Sequence, residues 1–231
     1  MIDFGRFDVL TFDCYGTLID WEAGILTGLH AVLDPRGVMA EDEELLVRYA
    51  DHEAAIEAGP YLRYREVLAR GLGGLCAELD IRPNPDELAA FGGSVADWPA
   101  FPDSTEALTL LHERFELAVI TNCDDDLFAA SNRRLGVAFD FVITAELAGG
   151  YKPSHRNFEL AFERIGRPRD RILHVAQSLF HDHVPAKALG LTTSWVNRRH
   201  DRPGSGATPP AEARPDLVVP DMATFAALAT A

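Results

Sequence analysis

The sequence predicts an α/β fold: a Rossmann-like, doubly wound parallel sheet interrupted by an inserted helical cap domain. Three observations carry this expectation. Short apolar runs recur along the chain with helical patterns between them, the first run stops abruptly at an aspartate followed by a turn glycine, and one long stretch holds helix-like segments but no strand. Strand-helix alternation favours parallel pairing with helices on both faces of the sheet, and ligands then collect beyond the carboxyl ends of the strands.

Phe7–Phe12 (FDVLTF) reads as a buried strand that delivers Asp13 at its end, with Gly16 supplying the turn. Residues 21–96 break the rhythm. Leu29–Leu33, Glu43–Ala58, Tyr61–Leu72 and Pro85–Ala96 have helical character, separated by turn signals at Pro35-Arg36-Gly37, Gly59-Pro60 and Pro83-Asn84-Pro85. This stretch is expected to form the cap, and residues 1–20 and 97–231 the core. Further strands are expected at Glu116–Thr121, Phe141–Thr144, Ile172–Ala176, Thr192–Val196 and Leu217–Val219, with helices at Thr105–Arg114, Leu127–Leu135 and Arg156–Ile165. A Pro/Gly-rich loop, Asp201–Pro215, precedes the last strand.

Composition narrows the function classes. With 47% hydrophobic and 25% charged residues in 231, the chain suits a soluble globular protein, and no apolar run approaches the roughly 18 residues of a membrane span. The N-terminus lacks the basic start, apolar region and small-residue cleavage site of a secretory signal, so a cytoplasmic location is expected. Cys14, Cys76 and Cys123 are too few and too scattered for a disulfide framework or zinc cluster. The net charge of −15 repels nucleic-acid phosphates and acidic membranes and argues against both as partners. A small anionic substrate would therefore need cations placed locally in its cleft.

Four motifs supply candidate chemistry. Asp13-Cys14-Tyr15-Gly16-Thr17 places a carboxylate at a strand end with a hydroxyl four residues on. ELAVIT ends on Thr121, followed by Asn122, both able to donate to a bound carboxylate or phosphate. Gly150-Tyr151-Lys152-Pro153 contributes a lysine, and Gln177-Ser178-Leu179-Phe180-His181-Asp182-His183 follows the strand Ile172–Ala176 with a second carboxylate. Taken singly these are turn residues, strand ends and a surface lysine. In this order they resemble the haloacid dehalogenase superfamily.

The resemblance implies that Asp13 is a nucleophile forming a covalent ester, that Thr17 orients it, that Lys152 keeps it ionised, and that Asp182 positions or deprotonates water. Tyr15, Thr121, Asn122, Gln177, Ser178 and His183 are the implied substrate-binding residues, joined by a cap arginine that meets the substrate, Arg48, with Arg63 and Arg65 as alternatives. Two departures separate the chain from the superfamily's phosphatases. Tyr15 stands where those enzymes carry a general-acid Asp, and Gln177 where they carry a ligand to Mg²⁺, a hard cation that favours carboxylate oxygens. The resemblance therefore points to the L-2-haloacid dehalogenase branch, with no metal or other cofactor and a small carboxylate as substrate. Mg²⁺ belongs only to the alternative reading, a phosphatase acting on a small phosphate ester.

Within the dehalogenase branch two further positions depart: its asparagine after the fourth strand falls at Leu179, and its tyrosine six residues beyond the lysine at Phe158. The runs SLFHDHVPA and WPAFPD, together with Asn197-Arg198-Arg199-His200 and Gly206-Ala207-Thr208, are similar to azetidine-2-carboxylate hydrolases, which open a strained C–N ring. His181 and His183 flank Asp182, but alternate residues on a loop diverge, so a metal site is not expected there. Trp21, Trp98 and Phe180 read either as pocket lining or as core. Leu45, Leu46 and Val47 read either as a homodimer interface or as packing within the cap.

Overall fold

The computed structural model describes residues 2–202 and 206–231, so residues 203–205 of the expected Asp201–Pro215 loop lie outside the described residues. In chain order it contains β1 (Val9–Phe12), α1 (Trp21–Leu33), α2 (Asp42–Glu57), α3 (Tyr64–Glu78), α4 (Pro85–Gly93), α5 (Ser104–His112), β2 (Glu116–Thr121), α6 (Asp125–Leu135), β3 (Phe141–Thr144), α7 (Ala145–Ala148), α8 (His155–Ile165), β4 (Ile172–Ala176), α9 (Val184–Ala188), β5 (Thr192–Val196), β6 (Leu217–Val219) and α10 (Met222–Thr230). The strands form one sheet in the order β3-β2-β1-β4-β5-β6, and every neighbouring pair is parallel.

β1 is central because all four of its residues are buried and it has a partner on each side: Phe12 lies opposite Val119 of β2 and Val175 of β4. Its side chains alternate between two cores. Val9 packs with Ala118, Ile120, Ile143, Phe158 and Ile172 on one face; Leu10 and Phe12 pack with Leu117, Val119, Leu173 and Val175 on the other. A strand buried on both faces reads as a continuous apolar run, as FDVLTF does. Burial of each large side chain contributes about 1.5–3 kcal/mol. The result is a rigid row of strand ends from which loops after β1, β2 and β4 emerge side by side.

The expected strands lie where the sequence puts them, apart from β1 starting at Val9. Helix bounds differ more. α1 begins at Trp21, capped by Asp20, whose carboxylate accepts from the Ala23 amide at 3.2 Å. α3 runs on to Glu78 through Gly71, Gly73 and Gly74 rather than stopping at Leu72. α3 packs against α2 here, and a Cβ at Gly74 would stand 2.6 Å from the His52 ring. Close helix approach outweighs the propensity cost of about 1 kcal/mol per glycine. Three helices, α7, α9 and α10, fall outside the segments with helical character in the sequence.

α2 explains the apolar triplet at its start. Leu45 and Leu46 are buried within the chain itself and Val47 is 45% exposed, so the first two are internal packing rather than a face open to a second copy. Among the described residues no helix is long and apolar enough to cross a membrane.

Candidate active site

The Asp13 amide donates to Val175 O at 3.1 Å, a last sheet-like bond that anchors the residue before the chain turns. Gly16 makes that turn at φ +90°, a backbone region that favours glycine. Thr17 is thereby folded back over Asp13. Its hydroxyl donates to Asp13 Oδ2 at 2.7 Å and accepts from the Gln177 amide at 2.9 Å, linking the loops after β1 and β4. Arg198 holds the turn from outside, donating to Thr17 O at 2.8 Å and to Asp103 at 2.9 Å with its guanidinium over the Phe101 ring.

Lys152 is the hub. Its ammonium, buried to 1% side-chain exposure, donates to Asp13 Oδ1 at 2.8 Å, to Asp182 Oδ1 at 2.7 Å and to Ile120 O at 2.8 Å. An ammonium has three donors, so all are in use. The lysine is held in place by Asn122, whose side chain accepts from the Lys152 amide at 2.7 Å and donates to its carbonyl at 3.1 Å.

Asp182 rides on a π-type turn, Leu179–His183, capped by Ser178, whose hydroxyl accepts from the His181 amide at 2.9 Å. Besides Lys152, Asp182 Oδ1 meets His174 Nε2 at 3.1 Å, and His174 Nδ1 meets the Thr11 hydroxyl at 2.9 Å. Both His174 and Thr11 lie inside the sheet, so a buried relay fixes Asp182 from below. Asp182 Oδ2 is buried and has no protein partner, which leaves an acceptor lone pair available for a water.

The charges of this cluster follow from its burial. Desolvation raises the Asp13 carboxyl and the neighbouring Asp182 adds to the rise, while the Lys152 ammonium pulls the other way. For Asp182 burial alone would also raise the carboxyl, but Lys152 and His174 outweigh it and hold the group well below the usual carboxylate range. Burial opposes the charge on Lys152, and the two carboxylates more than restore it. Asp182 is therefore the firmly ionised carboxylate, and Asp13 has the higher proton affinity of the two.

Beside Asp13 opens a cavity with about 420 Å³ of empty space, part of it open to solvent. The sheet side contributes Asp13, Lys152, Asp182, Asn122, Ser178 and His181, and the helices contribute Trp21, Glu53, Glu57 and Tyr64. Glu53 accepts from Tyr64 Oη at 3.0 Å and Tyr49 Oη at 3.4 Å, and burial pushes it up to about 7. Glu57, one turn further along α2, is driven well above the ordinary range by burial and then by Glu53, with Lys152 opposing. His181 is pushed down to about 4 by burial and is neutral at pH 7.

The structure brings Asp13, Thr17, Lys152 and Asp182 together, and Tyr15, Asn122 and Ser178 line the same cavity, as does Trp21. Other expected residues fall elsewhere. Arg48 does not reach the cavity: it pairs with Glu44 at 3.1 Å and Glu78 at 3.2 Å, because α2 turns Leu45, Leu46, Tyr49 and Glu53 inward and Arg48 lies off that stripe. Arg63 pairs with Glu146, and Arg65 with Asp124 and Asp126. The expected cations are thus absent from the cavity walls among the described residues, Lys152 apart. Thr121 is buried at the strand end outside the cavity. Gln177 acts through its main-chain amide, and its side chain faces Thr208 and adjoining clefts. His183 is buried against Ala176 O at 3.0 Å, likewise outside the cavity, and burial pushes it down to about 4. Trp98 packs edge-on against Tyr15 in the core, and Phe180 against His181.

Sequence reasoning missed Glu53, Glu57, Tyr64 and His174. Two signals were present. Glu53 falls on the apolar stripe of α2 formed by Leu45, Leu46, Tyr49 and Ala50, and His174 stands mid-strand in a run whose every residue is buried.

The donor set does not suit Mg²⁺. Asp13 and Asp182 converge on an ammonium, the Tyr15 hydroxyl bonds to Ser131 Oγ at 2.9 Å, and the Gln177 side chain is turned away. Among the described residues no group of three His, Cys, Asp or Glu side chains could hold a metal ion.

Comparison with known proteins gives a family match over residues 7–188, to the haloacid dehalogenase-like hydrolases. The chain is 27% identical over 225 residues to (S)-2-haloacid dehalogenase H-109 of Pseudomonas putida, covering 89% of this chain and 92% of that one. It is 30% identical over 166 residues to ribulose-1,5-bisphosphate 5-phosphatase of Halopiger xanaduensis, covering 62% and 68%. Among solved structures it is similar to the L-2-haloacid dehalogenase from Xanthobacter autotrophicus, with a TM-score of 0.80 at 21% identity over 96% of this chain and 98% of that one.

Proposed function

We infer the reaction from one premise: the chain belongs to the haloacid dehalogenase-like hydrolase family. It acts by nucleophilic displacement at C2 of a short 2-substituted carboxylic acid, with halide or a strained ring nitrogen as leaving group. One observation carries this reading: a buried Asp13 carboxylate is held between the Thr17 hydroxyl and a Lys152 ammonium that also binds Asp182.

The steps follow from that arrangement. A carboxylate oxygen of Asp13 attacks C2, the bond from C2 to the substituent breaks, and the substituent leaves with the electron pair. Asp13 is now an ester and has lost its charge, which relieves the crowding of two carboxylates around one ammonium. A water then adds to the ester carbonyl while Asp182, through its unpartnered Oδ2, takes the proton. Collapse of the adduct breaks the acyl C–O bond, the departing oxygen takes up the proton held by Asp182 to give a 2-hydroxy acid, and Asp13 returns with a solvent oxygen in its carboxyl group and releases the second water proton to solvent. Neutral donors of the cavity, Ser178 and the Trp21 indole among them, support binding of the substrate carboxylate.

The phosphatase reading draws support from similarity to a ribulose bisphosphate phosphatase. The donor set described above disfavours it, because a phosphate dianion would enter a cavity lined by carboxylates without a metal ligand set to balance it.

Single turnover in ¹⁸O-water, with enzyme in excess over L-2-chloropropionate or L-azetidine-2-carboxylate and with chelator present, tests the proposal. Label is expected in the Asp13 peptide and not in the product. Label entering the product directly, or turnover surviving Asp13→Asn, would overturn it. So would Mg²⁺-dependent release of p-nitrophenol from its phosphate in place of any turnover of these acids.

A further inference from the structure

Acidic side chains outnumber basic ones in the cavity beside Asp13. Four carboxyl groups line it, Asp13, Asp182, Glu53 and Glu57, against one ammonium among the described residues. That ammonium, Lys152, has all three donors in use on Asp13, Asp182 and Ile120 O, so none remains for a ligand. The arginines of the neighbouring helices are paired elsewhere.

Glu57 is an independent sign of a missing partner. Its side chain is only 10% exposed and faces the cavity, yet among the described residues it accepts no hydrogen bond. The closest basic nitrogen, His181 Nε2, stands 4.0 Å away, beyond hydrogen-bond reach. A buried carboxylate without a donor is costly, and it is relieved either by a proton or by a cation. Glu53, one helical turn earlier, receives only neutral donors, the hydroxyls of Tyr64 and Tyr49. Tyr15, Trp21 and Tyr64 complete the walls with aromatic surface, which also favours a cation over an anion.

We propose that Glu53 and Glu57 form a cation subsite that receives a protonated nitrogen carried by the substrate, so that the substrate is a zwitterion bearing both a carboxylate and an ammonium. The inference rests on the reading of Asp13 as the displacing nucleophile, since that reading places a short 2-substituted acid in this cavity. Of the two leaving groups compatible with that reading, it selects substrates with a charged nitrogen over simple halocarboxylates. Proton sharing between the two glutamates with no ligand role is the competing outcome.

Racemic 4-amino-2-hydroxybutyrate and racemic 2-hydroxybutyrate differ by one ammonium group, and both are products of the expected type. Calorimetric titration of the full chain with each is expected to give binding about 10- to 100-fold tighter for the aminated acid, the range of a hydrogen bond to a charged group. In Glu57→Gln this ratio is expected to fall close to one. Glu53→Gln should lower it in the same direction, which keeps the test informative should the first variant fail to fold. Equal binding of the two acids by the wild-type protein, binding of neither, or a ratio unchanged in both variants overturns the subsite. The ¹⁸O experiment tells that failure apart from failure of the displacement reading, because Asp13 would still acquire label from L-2-chloropropionate.

Discussion

Replacing Lys152 by Met removes the one ammonium that lines this cavity among the described residues. The Nζ contact to Asp13 Oδ1 is 2.8 Å, which puts the two charge centres roughly 4 Å apart, and at an effective dielectric of about 20 such a pair interacts by about 4 kcal/mol. Asp13 would keep its desolvation and its like-charged neighbour and lose the larger influence favouring its ionised form, with only the Thr17 hydrogen bond left on that side. Its carboxyl already lies above the ordinary value because burial outweighs that help. The nucleophile must be ionised, so activity is lost as pH falls through the Asp13 titration. Loss of about 4 kcal/mol moves that acid limb upward by about two to three pH units. Initial rates of L-2-chloropropionate or L-azetidine-2-carboxylate hydrolysis, followed from pH 4 to 9, should show the limb displaced upward and kcat/KM at pH 7 reduced by about 10² to 10³. Stability should fall as well, by about 3–5 kcal/mol for breaking a buried pair, so circular dichroism must first show that the variant is folded at the assay temperature. Lys152→Arg keeps the charge but changes its geometry and serves as the folded comparison. An acid limb that stays in place in a folded Lys152→Met protein with kcat/KM within tenfold of wild type would refute the electrostatic argument.

Asp182→Asn should permit ester formation and block its hydrolysis, so intact-protein mass spectrometry is expected to show an adduct on Asp13 that persists while kcat falls about 10²- to 10⁴-fold; a variant that turns over without accumulating adduct would contradict the role. Arg48→Ala, which removes a side chain paired with Glu44 and Glu78, should change kcat/KM by less than about threefold, in keeping with the small effect of exposed ion pairs. Glu53 is raised from 4.5 to about 7 by burial, so the folded protein binds a proton that the unfolded chain releases. The unliganded protein should therefore be most stable below pH 4.5 with respect to this group and lose that contribution as pH rises through about 7. Urea unfolding of wild type and Glu53→Gln across this range should show a shallower pH slope in the variant.

The sheet was legible because its signal is local and redundant. Apolar runs such as FDVLTF and ELAVIT state both the strand and its burial, and the end of the first run fixes the position of Asp13. The same holds for Lys152 and Asp182, whose spacing within loops after strands is short-range. What remained hidden depends on which way a helix faces. About 140° of rotation around α2 separates Arg48, which points to solvent-exposed carboxylates, from Glu53, which points at the cavity. An arginine is the residue type expected beside an anion, but the apolar periodicity of α2 puts Glu53 and not Arg48 on the inward stripe. Thr121, Gln177 and His183 failed for a related reason: adjacency to a motif residue does not fix side-chain direction at a strand end or in a tight turn. Gln177 contributes through its backbone, which no residue type reveals.

The two halves of the cavity come from different stretches of chain. Reacting groups sit on loops anchored to six parallel strands, whereas Glu53, Glu57 and Tyr64 stand on helices spliced between the first and second of them. On the proposed displacement and cation subsite, bond-making and discrimination are encoded separately. Evolution, or an engineer exchanging residues 42–78 for those of a relative, can redraw which molecules are admitted while the covalent machinery underneath goes on unaltered.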